Sequence, residues 1–452
     1  MKNNVGIILK DIFRRIRKRD FSGNTGIVIK NSALQFSTNI IAKGGSLLFT
    51  IILARMLMPE LFGLYSLALS TILIFSTFSE LGVGETLIRF ISKEFGKNKK
   101  KFKSKSYVIY LGKLKLFLVF TSMLILIVSA KFISENYYQK PLFLALMAGS
   151  LYILFIGLTG FLKSILIASN YFKGIFYQEI IFQISRLIIV PLLVLLSLRQ
   201  VLLNETIIFF IILGLSASYF ISSIFLLILS KNKFKYLTEK EEKISPLEKN
   251  KVNKFILPAS TTVFATIFFG SIDMIMLGRF VLPEYIGYYR AALGLVAAIA
   301  PLITFSIVLL PVFSRLKNQQ LERGFKKSIL VTLLFSLVFA FSVFLLSPFI
   351  INFVYGSEYG LAINILRFFS LLLISAPILL IYSSYFIAKG KPKIVLRILI
   401  YSVIINILLN FLVILFLNDY GNLAIVYGVT GATIISNWFY MFSLMIKKKR
   451  GY

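Results

Sequence analysis

Long runs of apolar residues alternate along the chain with short clusters of charge, proline and glycine. A helix that crosses a bilayer needs about 20 mostly apolar residues. Twelve such runs are predicted, near residues 32–54, 61–79, 107–129, 141–163, 175–198, 205–229, 254–279, 284–311, 328–352, 359–388, 394–417 and 421–446. The separators carry turn or charge signals: Pro59-Glu60, the lysines from Lys97 to Lys105, Pro283-Glu284 and Lys389-Gly390-Lys391-Pro392. Backbone groups in hydrocarbon must be satisfied internally, so runs of this length predict an all-α integral membrane bundle. Strands of a membrane barrel would be shorter and would alternate in polarity.

The stretch before the first run is patterned differently. Val5, Ile8, Leu9, Ile12, Phe13 and Ile16 share one helical face, and Lys10, Arg14, Arg15, Arg17 and Lys18 fall around the other side. This predicts a basic amphipathic helix suited to an anionic membrane surface, the alternative being a solvated tail. No cleavable signal peptide is expected, because the first apolar run begins about thirty residues in. The expected units are the N-terminal segment 1–31, a first lobe 32–229, a charged linker 230–253, a second lobe 254–446 and a basic tail 447–452.

Composition narrows the classes. The 452 residues are 58% hydrophobic and 15% charged, against about 45–50% and about 25% in an average soluble domain. An ordinary soluble enzyme and a disordered chain are excluded. With neither Cys nor His, disulfides, thiolate nucleophiles, Ser-His-Asp triads and Cys- or His-ligated metals are excluded too. No metal site is expected.

Lys and Arg number 50 against 18 Asp and Glu, a net charge of +32. Alone, that excess would suggest nucleic acid or an anionic surface. Its distribution says otherwise. Starting from the N-terminus, alternate connections hold 39 of the 50 cations, the remaining connections hold 5, and 6 lie inside apolar runs. The positive-inside rule then places both termini in the cytoplasm, with an even number of spans. No nucleic-acid partner is expected; membrane lipids are.

The two halves repeat. Residues 53–65 read LARMLMPELFGLY and residues 277–289 read LGRFVLPEYIGYY. Arg55/Arg279, Pro59/Pro283, Glu60/Glu284, Gly63/Gly287 and Tyr65/Tyr289 match at a constant offset of 224. Each half carries six spans, so the copies share orientation, as in transporters whose parallel repeats are related by an axis along the membrane normal. Pro and Gly would set a tight turn, and Arg and Glu could pair at the interface. A structural and a gating role for these ten residues both stay open.

The Arg-x-x-x-x-Pro-Glu-x-x-Gly-x-Tyr turn (Arg55 to Tyr65) resembles that of Wzx-type oligosaccharide flippases, in the multidrug/oligosaccharidyl-lipid/polysaccharide exporter superfamily. The segment Glu80-Leu81-Gly82-Val83-Gly84-Glu85, ending in Arg89-Phe90, resembles them too. The length, twelve spans, duplication and basic linker are similar along nearly the whole chain. The resemblance implies two six-helix lobes around a central cavity working by alternating access. It also implies a cargo: a lipid-linked sugar chain moved from the cytoplasmic to the outer leaflet.

Charges at bilayer depth are costly and usually face a cavity or a partner. Lys43, beside Gly44 and Gly45, lines a cavity or pairs structurally. Glu179, Gln183 and Arg186 form a stripe at i, i+4 and i+7, either self-satisfied or facing substrate. Asp273 and Arg290 lie at similar depth, so an ion pair between neighbouring helices is expected, as a structural tie or a switch. Arg367 has no carboxylate neighbour in sequence, which favours a cavity role. Lys113 and Lys115 are expected to snorkel to headgroups, and Asn406 and Asn410 to bridge helices. The four deep cations Lys43, Arg186, Arg290 and Arg367 outnumber Glu179 and Asp273, the candidate coupling residues. A net positive cavity suits a diphosphate headgroup.

The expectation is a flippase rather than an enzyme, a monomer in the plasma membrane, serving surface polysaccharide synthesis beside glycosyltransferases of its pathway. No cofactor is expected; the coupling cation, Na or H, is left open. The alternatives are a cation-coupled multidrug exporter, a flippase for peptidoglycan precursors, and an integral-membrane glycan polymerase or glycosyltransferase. The last would need a sizeable catalytic loop, and none is visible.

Overall fold

The computed structural model describes residues 23–95, 102–234, 244–304 and 318–450. Among them every regular element is a helix. Eleven stretches are long and apolar enough to cross a membrane. The first holds two spans, because the helical stretch Gly23–Glu80 breaks at Met58 (φ 58°, ψ 172°). Pro59 dictates the break: the residue before a proline is driven out of the α region, and Pro fits the first position of the next helix. The twelve spans are α1 (23–57), α2 (59–80), α3 (Phe102–Lys131), α4 (Phe143–Ala168), α5 (Phe172–Arg199), α6 (Asn204–Lys233), α7 (Pro246–Phe280), α8 (Pro283–Thr304), α9 (Asn318–Val354), α10 (Ala362–Ala388), α11 (Pro392–Leu417) and α12 (Asn422–Lys449).

Several boundaries differ from the apolar pattern. Val83–Phe95 is a short amphipathic helix folded onto the lobe. A π-helical turn, Phe132–Tyr138, extends α3. Helix α10 is interrupted between Phe369 and Leu372, and α9 begins ten residues before the apolar run that signalled it. The amphipathic segment expected over Val5 to Lys18 lies outside the described residues, as do parts of the linker and of the connection after α8.

We call the end that carries the repeated turns the turn end and the opposite one the basic end. Exposed apolar side chains line the outward faces, among them Phe117, Phe120 and Val128 on α3 and Phe341, Phe349 and Phe353 on α9. So much exposed apolar surface requires a lipid environment.

The buried core is divided unevenly. One apolar cluster joins both lobes, with Leu53, Leu57 and Phe62 packed together with Leu277, Ile286 and Tyr359. Two further clusters belong to the basic end: one around Phe325, Tyr385 and Leu444 in the second lobe, and one around Leu87, Tyr107 and Leu166 in the first that also takes in Val252 of α7. The lobes therefore share a core at the turn end; at the basic end they touch through the first half of α7, where Tyr110 donates to Asn253 and Lys103 pairs with Glu248.

The repeated glycines explain that shared core. A Cβ on Gly63 would lie 1.8 Å from the Pro283 carbonyl oxygen, and a Cβ on Gly287 would lie 2.1 Å from that of Pro59. Each turn packs backbone to backbone on its copy, as a two-fold repeat requires. Gly63→Ala or Gly287→Ala should cost about 1–3 kcal/mol by overpacking. Gly431→Ala, where nothing lies within 4 Å of the new methyl, should not destabilise. Thermal melts of the three variants in one detergent check this.

Candidate functional site: a cationic cavity between the lobes

A cavity of about 420 Å³ lies between the lobes. Helix α1 contributes Lys43, Ser46 and Thr50; α7 contributes Phe269, Gly270 and Asp273; α8 contributes Arg290; α12 contributes Thr433 and Asn437. Gly44 has open space beside it, while Gly45 packs so closely on α5 that a Cβ would meet the Gln183 amide at 2.3 Å. The paired glycines thus let α5 approach one side of α1 and leave Lys43 exposed on another. Among the described residues, no hydrogen bond or ion pair engages the Lys43 ammonium or the Arg290 guanidinium.

Asp273 is buried at the cavity wall and differs from expectation. It accepts hydrogen bonds from Asn410 Nδ2 at 2.7 Å, Thr433 Oγ1 at 2.8 Å and the Tyr289 hydroxyl at 2.9 Å. Asn410 also donates to Asn406 Oδ1 at 3.3 Å, and Asn406 Nδ2 to Ser436 Oγ at 3.3 Å. The expected Asp273–Arg290 ion pair is not formed among the described residues. Three neutral donors from α8, α11 and α12 satisfy the carboxylate instead, and Arg290 is left facing the cavity. Asn406 and Asn410 bridge helices, as expected.

The stripe on α5 is only partly self-satisfied. Gln183 Nε2 donates to Glu179 Oε1 at 2.7 Å, and Lys163 Nζ on α4 pairs with Glu179 Oε2 at 3.2 Å. Arg186 takes no part in that pairing. Its guanidinium stacks on Phe49 at 4.8 Å and Phe182 at 5.1 Å, inside the first lobe and away from the cavity. Arg367 is also absent from the cavity wall. It donates to Ser347 Oγ and Asn364 Oδ1, both at 3.1 Å, between α9 and α10. The expected four cations and two acids therefore reduce to Lys43 and Arg290 against Asp273. Lys115 does not snorkel: it is buried, donates to the Ser79 carbonyl at 2.7 Å and pairs with Glu80. Lys113 is exposed, as snorkelling requires.

At the turn end the repeated arginines cap helices of the opposite lobe rather than pairing with Glu60 or Glu284. Arg55 donates through Nε to the Val354 carbonyl at 2.8 Å and through Nη2 to that of Phe353. Arg279 Nη1 donates to the carbonyls of Asn136 at 3.0 Å and Tyr137 at 2.5 Å. The carbonyls at the ends of α9 and of the α3 extension lack intrahelical partners, and a guanidinium answers both their hydrogen-bonding need and the helix dipole. Tyr359 donates to the Ala54 carbonyl at 2.9 Å and Lys140 to that of Gly278 at 2.6 Å. Ala54 and Gly278 are again 224 residues apart. Glu60 accepts from Asn204 at 3.4 Å.

Lys163, Lys140 and Tyr359 were missed as functional neighbours, because they sit in or beside connections and nothing in their spacing marks them. Tyr289 and Asn410 each carried a signal, one in the repeat and one in an i, i+4 pair, but not the fact that they converge on Asp273.

The fold is a two-lobed membrane bundle with a cationic cavity between the lobes. A family model described as polysaccharide biosynthesis protein matches residues 28–317. The chain belongs to that family. No curated protein matches it at a significant level. Among solved structures it is similar to one titled lipid II flippase MurJ in an inward closed conformation, at 19% identity and TM-score 0.69, covering 91% of this chain and 87% of that one. It is also similar to a multidrug resistance MATE family transporter of the MOP superfamily in an inward-facing conformation, at 15% identity and TM-score 0.60, covering 92% and 96%. The outward-facing form of such a transporter matches at 15% identity and TM-score 0.60, covering 95% and 96%. The molecule is a multi-pass membrane protein of that family, with the fold of these transporters.

Burial, helped by the nearby Arg279 charge, pulls the Lys140 amine down to about 8. The folded state thus disfavours the charged amine more than the unfolded chain does. Stability should rise with pH between about 8 and about 10.4, the unfolded value, as the strained charge is lost. A Lys140→Met variant should show a flatter rise, read from melting temperatures across that window.

Proposed function

We propose that this membrane protein moves a lipid-linked oligosaccharide, carried on a polyprenyl phosphate or diphosphate, from the cytoplasmic to the outer leaflet. The observation that carries the reading is the pair Lys43 and Arg290: two cations from opposite lobes, at bilayer depth, facing one cavity without a protein partner. A charged side chain at such depth costs at least about 2.5–3.5 kcal/mol and persists where something answers it. A phosphate or diphosphate answers both at once, Arg as a fork and Lys as a point charge. It also links the lobes electrostatically, so its arrival and departure bias how they sit relative to one another.

The basic end is assigned to the cytoplasm of the plasma membrane, with both termini there, because the cation-rich connections lie on that side. The more extensive shared core at the turn end suits loading from the cytoplasm. Release then requires the turn-end contacts to part. The pseudo-symmetric interface lies within one chain, so a monomer suffices. Asp273 is the proposed coupling residue: a proton or Na ion arriving there would re-sort its three donors, and Tyr289 precedes Arg290 directly on α8. Cation-coupled drug export is the second reading, favoured by Asp273 in the wall. Against it, the carboxylate is already satisfied and two free cations repel a cationic drug.

Lys43→Gln and Arg290→Gln should each lower flipping by roughly 10- to 100-fold, the loss of a charge-assisted contact worth about 1.5–3 kcal/mol. Arg367→Gln, outside the cavity, should leave it near normal. The measurement is transbilayer movement of a lipid-linked oligosaccharide by protein in proteoliposomes; equal activity of all three variants rejects the cavity assignment. Asp273→Asn should remove the dependence of flipping on a proton or Na gradient while basal substrate binding survives.

A further inference from the structure

A second, apolar concavity of about 370 Å³ lies beside the cationic cavity and nearer the basic end. Its walls are α7, through Thr261, Phe264, Ala265 and Phe268, and α11, through Val403 and Ile404, with Leu81 closing one side. Phe264 and Phe268 stack at 4.3 Å, and Phe78 meets Phe264 edge-on at 5.5 Å. Ser260, also in the wall, donates its hydroxyl to the Ile256 carbonyl at 2.8 Å, so it presents no unmet hydrogen-bond donor to the groove. Ile404, also in the wall, is about half exposed.

The groove and the cavity are joined by one stripe of α7. Thr261 and Ala265 line the groove; Phe269 and Asp273 line the cavity. These positions follow each other at i+4, one face of a helix, over a length of about 18 Å. At the junction stands Gly270, which lines the cavity and has no atom within 4 Å of the place a Cβ would take. The stripe thus runs past an open point in the wall.

We infer that this groove seats the isoprenoid tail of the lipid whose headgroup occupies the cavity. The inference rests on the flippase reading above. A phosphate held by Lys43 and Arg290 is covalently tied to a chain that cannot stay in a polar cavity and must leave the bundle sideways. Bilayer tails are as apolar as isoprenoids, so burial alone does not select one over the other. The tether does. Once the headgroup is bound, the tail is presented to the groove at the high effective concentration of an intramolecular partner. The stacked phenylalanines give a flat, rigid wall against which the planar, methyl-branched isoprene units pack.

The test uses the full-length protein in nanodiscs of phosphatidylglycerol and phosphatidylcholine, with a polyprenyl diphosphate carrying a diazirine in its tail. After photolysis, adducts mapped by mass spectrometry should fall on 260–268 and 400–404 and be competed away by unlabelled polyprenyl diphosphate. Ile404→Trp, which fills the groove from its exposed side, should cut those adducts about tenfold by removing tail contacts. Gly270→Leu, which closes the junction, should do the same. Competable adducts mapping elsewhere, such as beside Gly44 and Ala297, overturn the groove assignment and leave the flippase reading standing. Equal labelling of the groove by a diazirine phosphatidylglycerol, with no competition by polyprenyl diphosphate, shows bulk lipid only and also overturns it. Absence of competable adducts anywhere overturns the flippase reading itself.

Discussion

The cost of an unanswered charge in hydrocarbon organises this molecule. Most deep ionised groups have a local solution among the described residues, and the solutions differ in kind. Glu80 takes Lys115, and Glu179 takes Lys163. Asp273 takes three neutral donors. Arg186 takes two aromatic faces while its buried Nε and Nη2 find no hydrogen bond, Arg367 takes a serine and an asparagine, and Arg55 and Arg279 take helix-end carbonyls. Against that background Lys43 and Arg290 stand out because no described protein group answers either of them while both border one cavity. The cavity is identified less by its size than by this remainder.

The arginine caps give the turn end a second property. Arg55 and Arg279 each reach across to the lobe that does not contain them, and Tyr359 and Lys140 repeat the crossing at Ala54 and Gly278. With the Gly63 and Gly287 backbone contacts between them and the apolar cluster that joins the lobes, closure rests on buried apolar area together with polar groups that water can satisfy once the lobes part. The tyrosine's hydrogen bond is worth about 0.5–1.5 kcal/mol net, and each of those from the charged donors about 1.5–3 kcal/mol. Such a seam holds by number and geometry as well as by buried apolar area, which suits the opening and reclosing that the proposed function requires.

Much of the fold was legible in the sequence because the bilayer leaves the backbone few choices. Apolar run lengths marked the spans, the proline of each repeat marked its turn, and the constant offset of 224 marked the two-fold. The irregular parts were not legible. The short helix Val83–Phe95 and the break in α10 depend on packing between segments distant in sequence. The site was legible in part for the same reason. Rarity picked out Lys43, Asp273 and Arg290, but depth along a helix does not give rotation about its axis. Arg186 and Arg367 have the right depth and the wrong face. Lys115 looked like a rim lysine because Glu80, its partner, sat in what read as a connection.

The duplication shows which parts of the structure are constrained by packing and which by chemistry. At the turn, residues 224 apart are kept because each copy is the other's packing partner: changing Gly63 without Gly287 breaks a contact that both make. Inside the cavity no such reciprocity applies. The position equivalent to Asp273 is Phe49, the one equivalent to Arg290 is Ser66, and the one equivalent to Lys43 is Ile267. Phe49 supports the Arg186 guanidinium where its counterpart is a carboxylate. The halves thus share a frame and differ in charge, so the site is polar-asymmetric about its own two-fold. Under the proposed function, such an asymmetric site holds one cargo in one orientation, headgroup toward Lys43 and Arg290, with Asp273 built into one lobe alone. A symmetric pair of half-sites would have no preferred direction in which to lay a molecule that has a polar end and an apolar one.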